Sequence, residues 1–123
     1  MIYEKLITIE TAKLANEKKF DQNGLTWLFY EKNGRRWNCN HENGNKDYIC
    51  CTQDLLHQWL MDKHNMYLDI YIGHDETGIW WNVDIFKIEK GYDFEPLNQE
   101  DIGGDSHSEA FENGLQAALK LIK

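Results

Sequence analysis

Two runs of alternating apolar residues constrain this chain more than any other feature: Leu68, Ile70 and Ile72, then Ile79, Trp81, Val83 and Ile85, with a turn at 73–78 between them. Successive side chains of an extended strand point to opposite faces, so each run buries one face and the two together predict an antiparallel hairpin. The same alternation decides what faces the other way: Tyr67, Asp69, Tyr71, Trp80, Asn82, Asp84 and Phe86. A slip of one residue would turn the apolar set into water, so this register is strongly specified.

A second hairpin is expected earlier. Residues 25–30 are rich in aromatic and aliphatic side chains, and Asn33-Gly34 suits a two-residue turn because both residues tolerate positive φ. That turn would set Glu31 opposite Arg36, Tyr30 opposite Trp37 and Leu28 opposite Cys39, with Leu28, Tyr30, Trp37 and Cys39 facing the core. Trp27, Phe29, Glu31, Arg36, Asn38 and Asn40 then face outward.

Three helices complete the pattern. Thr8 caps the first, which runs to about residue 19 with Ile9, Ala12 and Ala15 on one side. Thr52 caps the second, with the stripe Leu55, Leu56, Trp59 and Leu60 and an end near Asn65. Ser106 with Glu109 forms a capping box for the third, whose stripe is Phe111, Leu115, Ala118, Leu119 and Ile122. The order is α-ββ-α-ββ-α, an α+β fold. The simplest packing is one antiparallel four-stranded sheet of two hairpins with the three helices on one face. Residues 91–105, with Pro96 and Gly103-Gly104, read as an irregular acidic segment within a single domain spanning 1–123.

Composition narrows the function classes. At 123 residues and 41% hydrophobic content the chain suffices for one core. The opening residues are too short and charged for a signal-peptide core, and no apolar run approaches the roughly 20 residues of a membrane span, so a cytoplasmic protein is expected. The cysteines, Cys39, Cys50 and Cys51, are odd in number and two are adjacent, which argues against a disulfide scaffold. The net charge is −8, and most of it comes from Asp93, Glu95, Glu100, Asp101, Asp105, Glu109 and Glu112, a run uninterrupted by Lys or Arg. Such a charge disfavours direct contact with nucleic-acid phosphate.

The stretch TQDLLHQWLMDKHN at 52–65, with ETAKLA at 10–15 and GLQAALKLI at 114–122, resembles a family of small uncharacterised proteins encoded by phages and integrated mobile elements of Bacteroides-type gut bacteria. The resemblance implies an intracellular accessory protein and transfers no catalytic or binding residue. Cys50-Cys51 departs from it, standing where small or proline-type residues are expected.

The chemistry-bearing residues do not assemble into a known motif. Cys39, His41, Cys50, Cys51, His57 and His64 are of zinc-ligand type, but no Cys-x-x-Cys pair is present. His57 and His64 stand about two helical turns apart, roughly 10 Å along the axis. His74-Asp75-Glu76 falls in a turn, and His107 with Glu109 sits at a helix start. No catalytic residue, metal ligand or cofactor is therefore assigned.

Two surfaces remain. Trp27, Phe29, Tyr67, Tyr71, Trp80 and Phe86 are expected on the outer sheet face, a patch larger than monomers usually leave bare. It is covered by the segment holding Tyr92, Phe94, Leu97 and Ile102, or it meets a protein, either a second copy in a homodimer or a host protein, or it is a platform for planar or sugar rings. The acidic run is the other surface: a solvated face, or a mimic of nucleic-acid charge that inhibits a host DNA-binding protein.

Overall fold

Each helix begins where a hydroxyl takes up a backbone amide left free at the helix start. In a computed structural model, which describes residues 6–20, 28–30, 36–38, 48–49, 51–88, 96–98 and 100–122, Thr8 Oγ1 accepts from Thr11 N at the head of α1 (Ile9–Glu17). Thr52 Oγ1 accepts from Leu55 N at 3.2 Å to open α2 (Gln53–His64), and Asn65, at φ 55°, closes that helix by donating to the Leu60 carbonyl. Ser106 Oγ accepts from Glu109 N at 3.1 Å to start α3 (His107–Leu121). Glu109 returns the contact by accepting from Asp105 N, one residue before the cap.

Six strands are described: β1 (Leu28–Tyr30), β2 (Arg36–Asn38), β3 (Tyr48–Ile49), β4 (Met66–Asp75), β5 (Gly78–Lys87) and β6 (Ile102–Gly104). They form two separate three-stranded antiparallel sheets, ordered β2-β1-β3 and β4-β5-β6. The fold is α+β, but the single four-stranded sheet of two hairpins is overturned. Each hairpin has instead recruited a short third strand that its sequence does not announce. Ile102–Gly104 carries two glycines and shows no alternation, yet it pairs along β5 because Gly103 and Gly104 bring backbone within reach of its neighbours. A β-carbon on Gly104 would stand 2.8 Å from Ala110 N in α3.

The first hairpin also differs in register. Leu28 pairs with Asn38, Phe29 with Trp37 and Tyr30 with Arg36, one residue away from the pairing that a two-residue turn at Asn33-Gly34 dictates. Phe29 and Trp37, expected on opposite sides, are cross-strand partners, since a one-residue slip exchanges faces. The connecting residues 31–35 lie outside the described residues.

The second hairpin keeps the pairing of faces, but burial follows it only away from the turn: Ile72 and Ile79, expected inward, are 52% and 73% exposed because the hairpin end runs past the core. Leu68 pairs with Ile85, Ile70 with Val83 and Ile72 with Trp81 on the inner side, while Tyr67–Phe86, Asp69–Asp84 and Tyr71–Asn82 pair on the outer side. Its turn is shorter than the expected 73–78: Asp75 pairs with Gly78 around Glu76-Thr77. The Asp75 carboxylate accepts from the Thr77 hydroxyl and, at 2.7 Å, from Thr77 N, and these bonds hold its pKa below the ordinary carboxylate value. Gly78 follows at φ 150°, a conformation open to glycine.

The core lies between the inner face of this second sheet and α3, with α2 beside α3. Leu68, Val83 and Ile85 meet Phe111, Leu115, Ala118 and Leu119, and Leu56 and Leu60 close the side. Burying each large aliphatic side chain contributes about 2 kcal/mol. The three helices do not share one sheet face: α2 and α3 pack on the second sheet, whereas α1 packs on α3 and β3. Leu55, expected in the stripe of α2, is exposed.

Candidate functional site

The outer face of β4 and β5 gathers the exposed aromatic chemistry. Cross-strand pairing places Tyr67 against Phe86, Asp69 against Asp84 and Tyr71 against Asn82, and sets Trp80 opposite Gly73. Trp80 is only partly exposed because its indole lies over the glycine: a β-carbon on Gly73 would come within 2.6 Å of its Nε1. Tyr67 and Tyr71 remain 43% and 41% exposed. Tyr67, Asp69, Phe86 and Ile88 line an open concavity of about 500 Å³.

Of the six aromatic residues assigned to this face, Tyr67, Tyr71, Trp80 and Phe86 share it. Phe29 belongs to the other sheet, and Trp27 lies outside the described residues. Of the residues expected as a cover, Ile102 packs against the core instead, Leu97 is exposed, and Tyr92 and Phe94 lie outside the described residues.

Charge crosses the face as a row. Val83 pairs with Ile102 and Asn82 with Gly103, so the same register carried one residue further sets Asp101 beside Asp84. Asp69 on β4, Asp84 on β5 and Asp101, just before β6, then follow one another across the face. Tyr71 reports the row: partial desolvation raises its phenol above the ordinary value, and the charge of Asp84, a hydrogen bond to Asp84, and the charges of Asp69 and Asp101 raise it further. Sequence alternation exposes Asp69 and Asp84, but only the third strand brings Asp101 to them.

The acidic run does not form one surface. Glu100, Asp101, Asp105 and Glu109 are exposed, and Asp93 and Glu95 lie outside the described residues. Glu112 is buried, at 9% exposure. Its Oε2 accepts from Thr8 N at 3.0 Å, from Thr8 Oγ1 at 3.1 Å and from Thr11 Oγ1, while its Oε1 accepts from Gln53 Nε2 at 3.0 Å. Gln53 also donates to the Ser108 carbonyl at 2.9 Å, and Gln116 donates to Thr11 Oγ1 at 3.0 Å. One carboxyl group thus ties the starts of α1 and α2 to α3, and its partners are structural.

Among the described residues His57, His64 and His107 lie against aromatic rings, whereas His74 is exposed at the hairpin end. His57 Nε2 accepts from Leu68 N at 2.9 Å, capping an amide on the open edge of β4, and its ring lies 5.3 Å from Tyr67 and 5.5 Å from Phe111. Accepting through Nε2 requires that nitrogen to be unprotonated. Burial lowers the His57 pKa, with Asp54 opposing. From about pH 6.5 downwards the unfolded chain therefore takes up a proton that the folded chain resists, and stability falls with pH. Urea midpoints for the wild type should drop between pH 7 and pH 5 more steeply than those for His57→Ala; equal slopes would contradict this role. His64 meets Trp59 edge to face with ring centres 4.7 Å apart, and His107 lies 5.2 Å from Trp81.

Cys39, His41 and Cys50 lie outside the described residues, and Cys51 is buried. Among the described residues no three His, Cys, Asp or Glu side chains converge as metal ligands, and no helix is long and apolar enough to cross a membrane. No protein-family model, curated protein or solved structure gives a significant match to the chain.

Proposed function

We propose that this chain is a non-enzymatic accessory protein, of phage or mobile-element type and cytoplasmic, that acts by protein contact through the outer face of β4 and β5. The observation that carries this reading is an open concavity lined by the exposed Tyr67 and Ile88, with Tyr71 exposed on the same face, on a regular hairpin of two ten-residue strands. Aromatic side chains bury much area at little rotamer cost, which suits them as interface anchors. The mobile-element context rests on the resemblance at 10–15, 52–65 and 114–122. The non-enzymatic reading is supported by what the buried polar groups do: Glu112 and His57 are spent on holding backbone and helices together.

The test compares wild type with Tyr67→Ser/Tyr71→Ser, both shown folded by circular dichroism. Solution mass is measured by light scattering, and each protein is immobilised for capture from Bacteroides-type cell extract at about 150 mM salt, where exposed charges are largely screened beyond ~8 Å. A protein held by wild type and lost by the variant, or a wild-type dimer that the variant dissociates, is the expected result. Equal mass and equal capture would overturn the reading.

A further inference from the structure

The carboxylate row and the aromatic flanks together define what kind of partner the outer face accepts. Asp69 and Asp84 are direct cross-strand partners, an arrangement that costs stability because like charges stand opposed. Asp101, the residue just before β6, extends the row by the register in which Val83 pairs with Ile102. Strands lie about 4.8 Å apart, so the row spans roughly 10 Å, too extended to enclose one metal ion but spaced for successive cationic side chains. Tyr67 and Phe86 border it on one side, and Tyr71 with Trp80 on the other.

We propose, resting on the protein-contact reading above, that this face docks a basic segment of a partner protein, its arginine or lysine side chains seated along Asp69, Asp84 and Asp101. A partner that covers the aromatic rings must also cover the carboxylates between them. An apolar partner would strip water from those charges without replacing it, which disfavours such a complex. A second copy docked face to face would bring one acidic row against another. A guanidinium satisfies both parts of the surface, pairing with carboxylate oxygens and lying against aromatic rings. The net charge of −8 adds long-range attraction for a basic partner and repels nucleic acid.

The probe is a fluorescein-labelled hexa-arginine peptide, read by fluorescence anisotropy, with hexa-citrulline as its neutral counterpart. Asp69→Asn/Asp84→Asn should weaken hexa-arginine binding at least about tenfold, while Glu100→Gln/Asp105→Asn/Glu109→Gln, which removes more charge elsewhere, changes it less than about threefold. Hexa-citrulline should not bind. The first variant should melt at or above the wild-type temperature, because it relieves a like-charge pair, so lost binding is not lost fold. Equal losses in the two variants, or unchanged binding in Asp69→Asn/Asp84→Asn, would overturn the proposal. If Tyr67→Ser/Tyr71→Ser still loses a captured protein in that case, only the basic class of partner is wrong; if capture is also unchanged, the contact face itself is wrong.

Discussion

Replacing Glu112 by alanine is expected to lower stability by about 3 kcal/mol, a fall in Tm of roughly 10 °C for a chain of this size. The loss comes from the donors left behind. Thr8 N–H cannot rotate towards another acceptor, and Gln53 and Thr11 each lose a partner in a site that water reaches poorly. The fold also loses the group that joins the starts of α1 and α2 to α3. Glu112→Gln should recover part of the stability, since one amide oxygen still accepts while its NH2 turns a donor towards a donor. Lys120→Ala, on the exposed side of α3, should stay within about 0.5 kcal/mol of wild type. Denaturant titrations decide the matter: a Glu112→Ala midpoint equal to that of Lys120→Ala would show that the network contributes little.

Gly114→Val should cost about 3 kcal/mol by overpacking. At Gly114 α3 lies close against the sheet, and a β-carbon would stand 2.8 Å from Val83 Cγ1 and 2.9 Å from Leu68 Cδ2. Both neighbours are buried, at 1% and 2% exposure, so neither has room to withdraw. Helix propensity pulls the other way, because glycine is the poorer helix former by a few tenths of a kcal/mol, but the clash is larger. Thermal melts should show the loss, and near-ultraviolet circular dichroism should show disturbed aromatic packing. A variant as stable as wild type would mean that α3 stands farther from the sheet than described.

Local signals in the chain were legible, and long-range contacts such as those of Glu112 were not. Helix starts were legible because their signals are local: Thr8, Thr52 and Ser106 each reach an amide three residues on. The β4–β5 alternation was legible because one face must be dry, and Leu68, Val83 and Ile85 are buried accordingly. Glu112 was not legible as a buried group, since nothing near it in sequence indicates that Thr8, Thr11 and Gln53 will converge on it. Nor was β6, whose pairing depends on backbone approach at glycines rather than on side-chain pattern. Gly73 suggested an early turn, but it stays in the strand, with the Trp80 indole from the opposite strand lying over it.

The candidate site divides in the same way. Alternation placed Tyr67, Tyr71, Trp80 and Phe86 on one face with Asp69 and Asp84 between them. It did not separate Phe29, because the partition of strands between two sheets is a long-range outcome. It also did not join Asp101 to the row, because the pairing of β6 with β5 is itself a long-range outcome.

The outer face of β4 and β5 as the working surface is tested most directly by a ¹H–¹⁵N NMR titration with unlabelled hexa-arginine peptide. Shift changes should concentrate at Tyr67, Asp69, Tyr71, Asp84, Phe86 and Asp101, with α1 unmoved. Changes centred instead on Asp105 and Glu109 at the start of α3, or spread evenly over the exposed carboxylates, would contradict that role for the face.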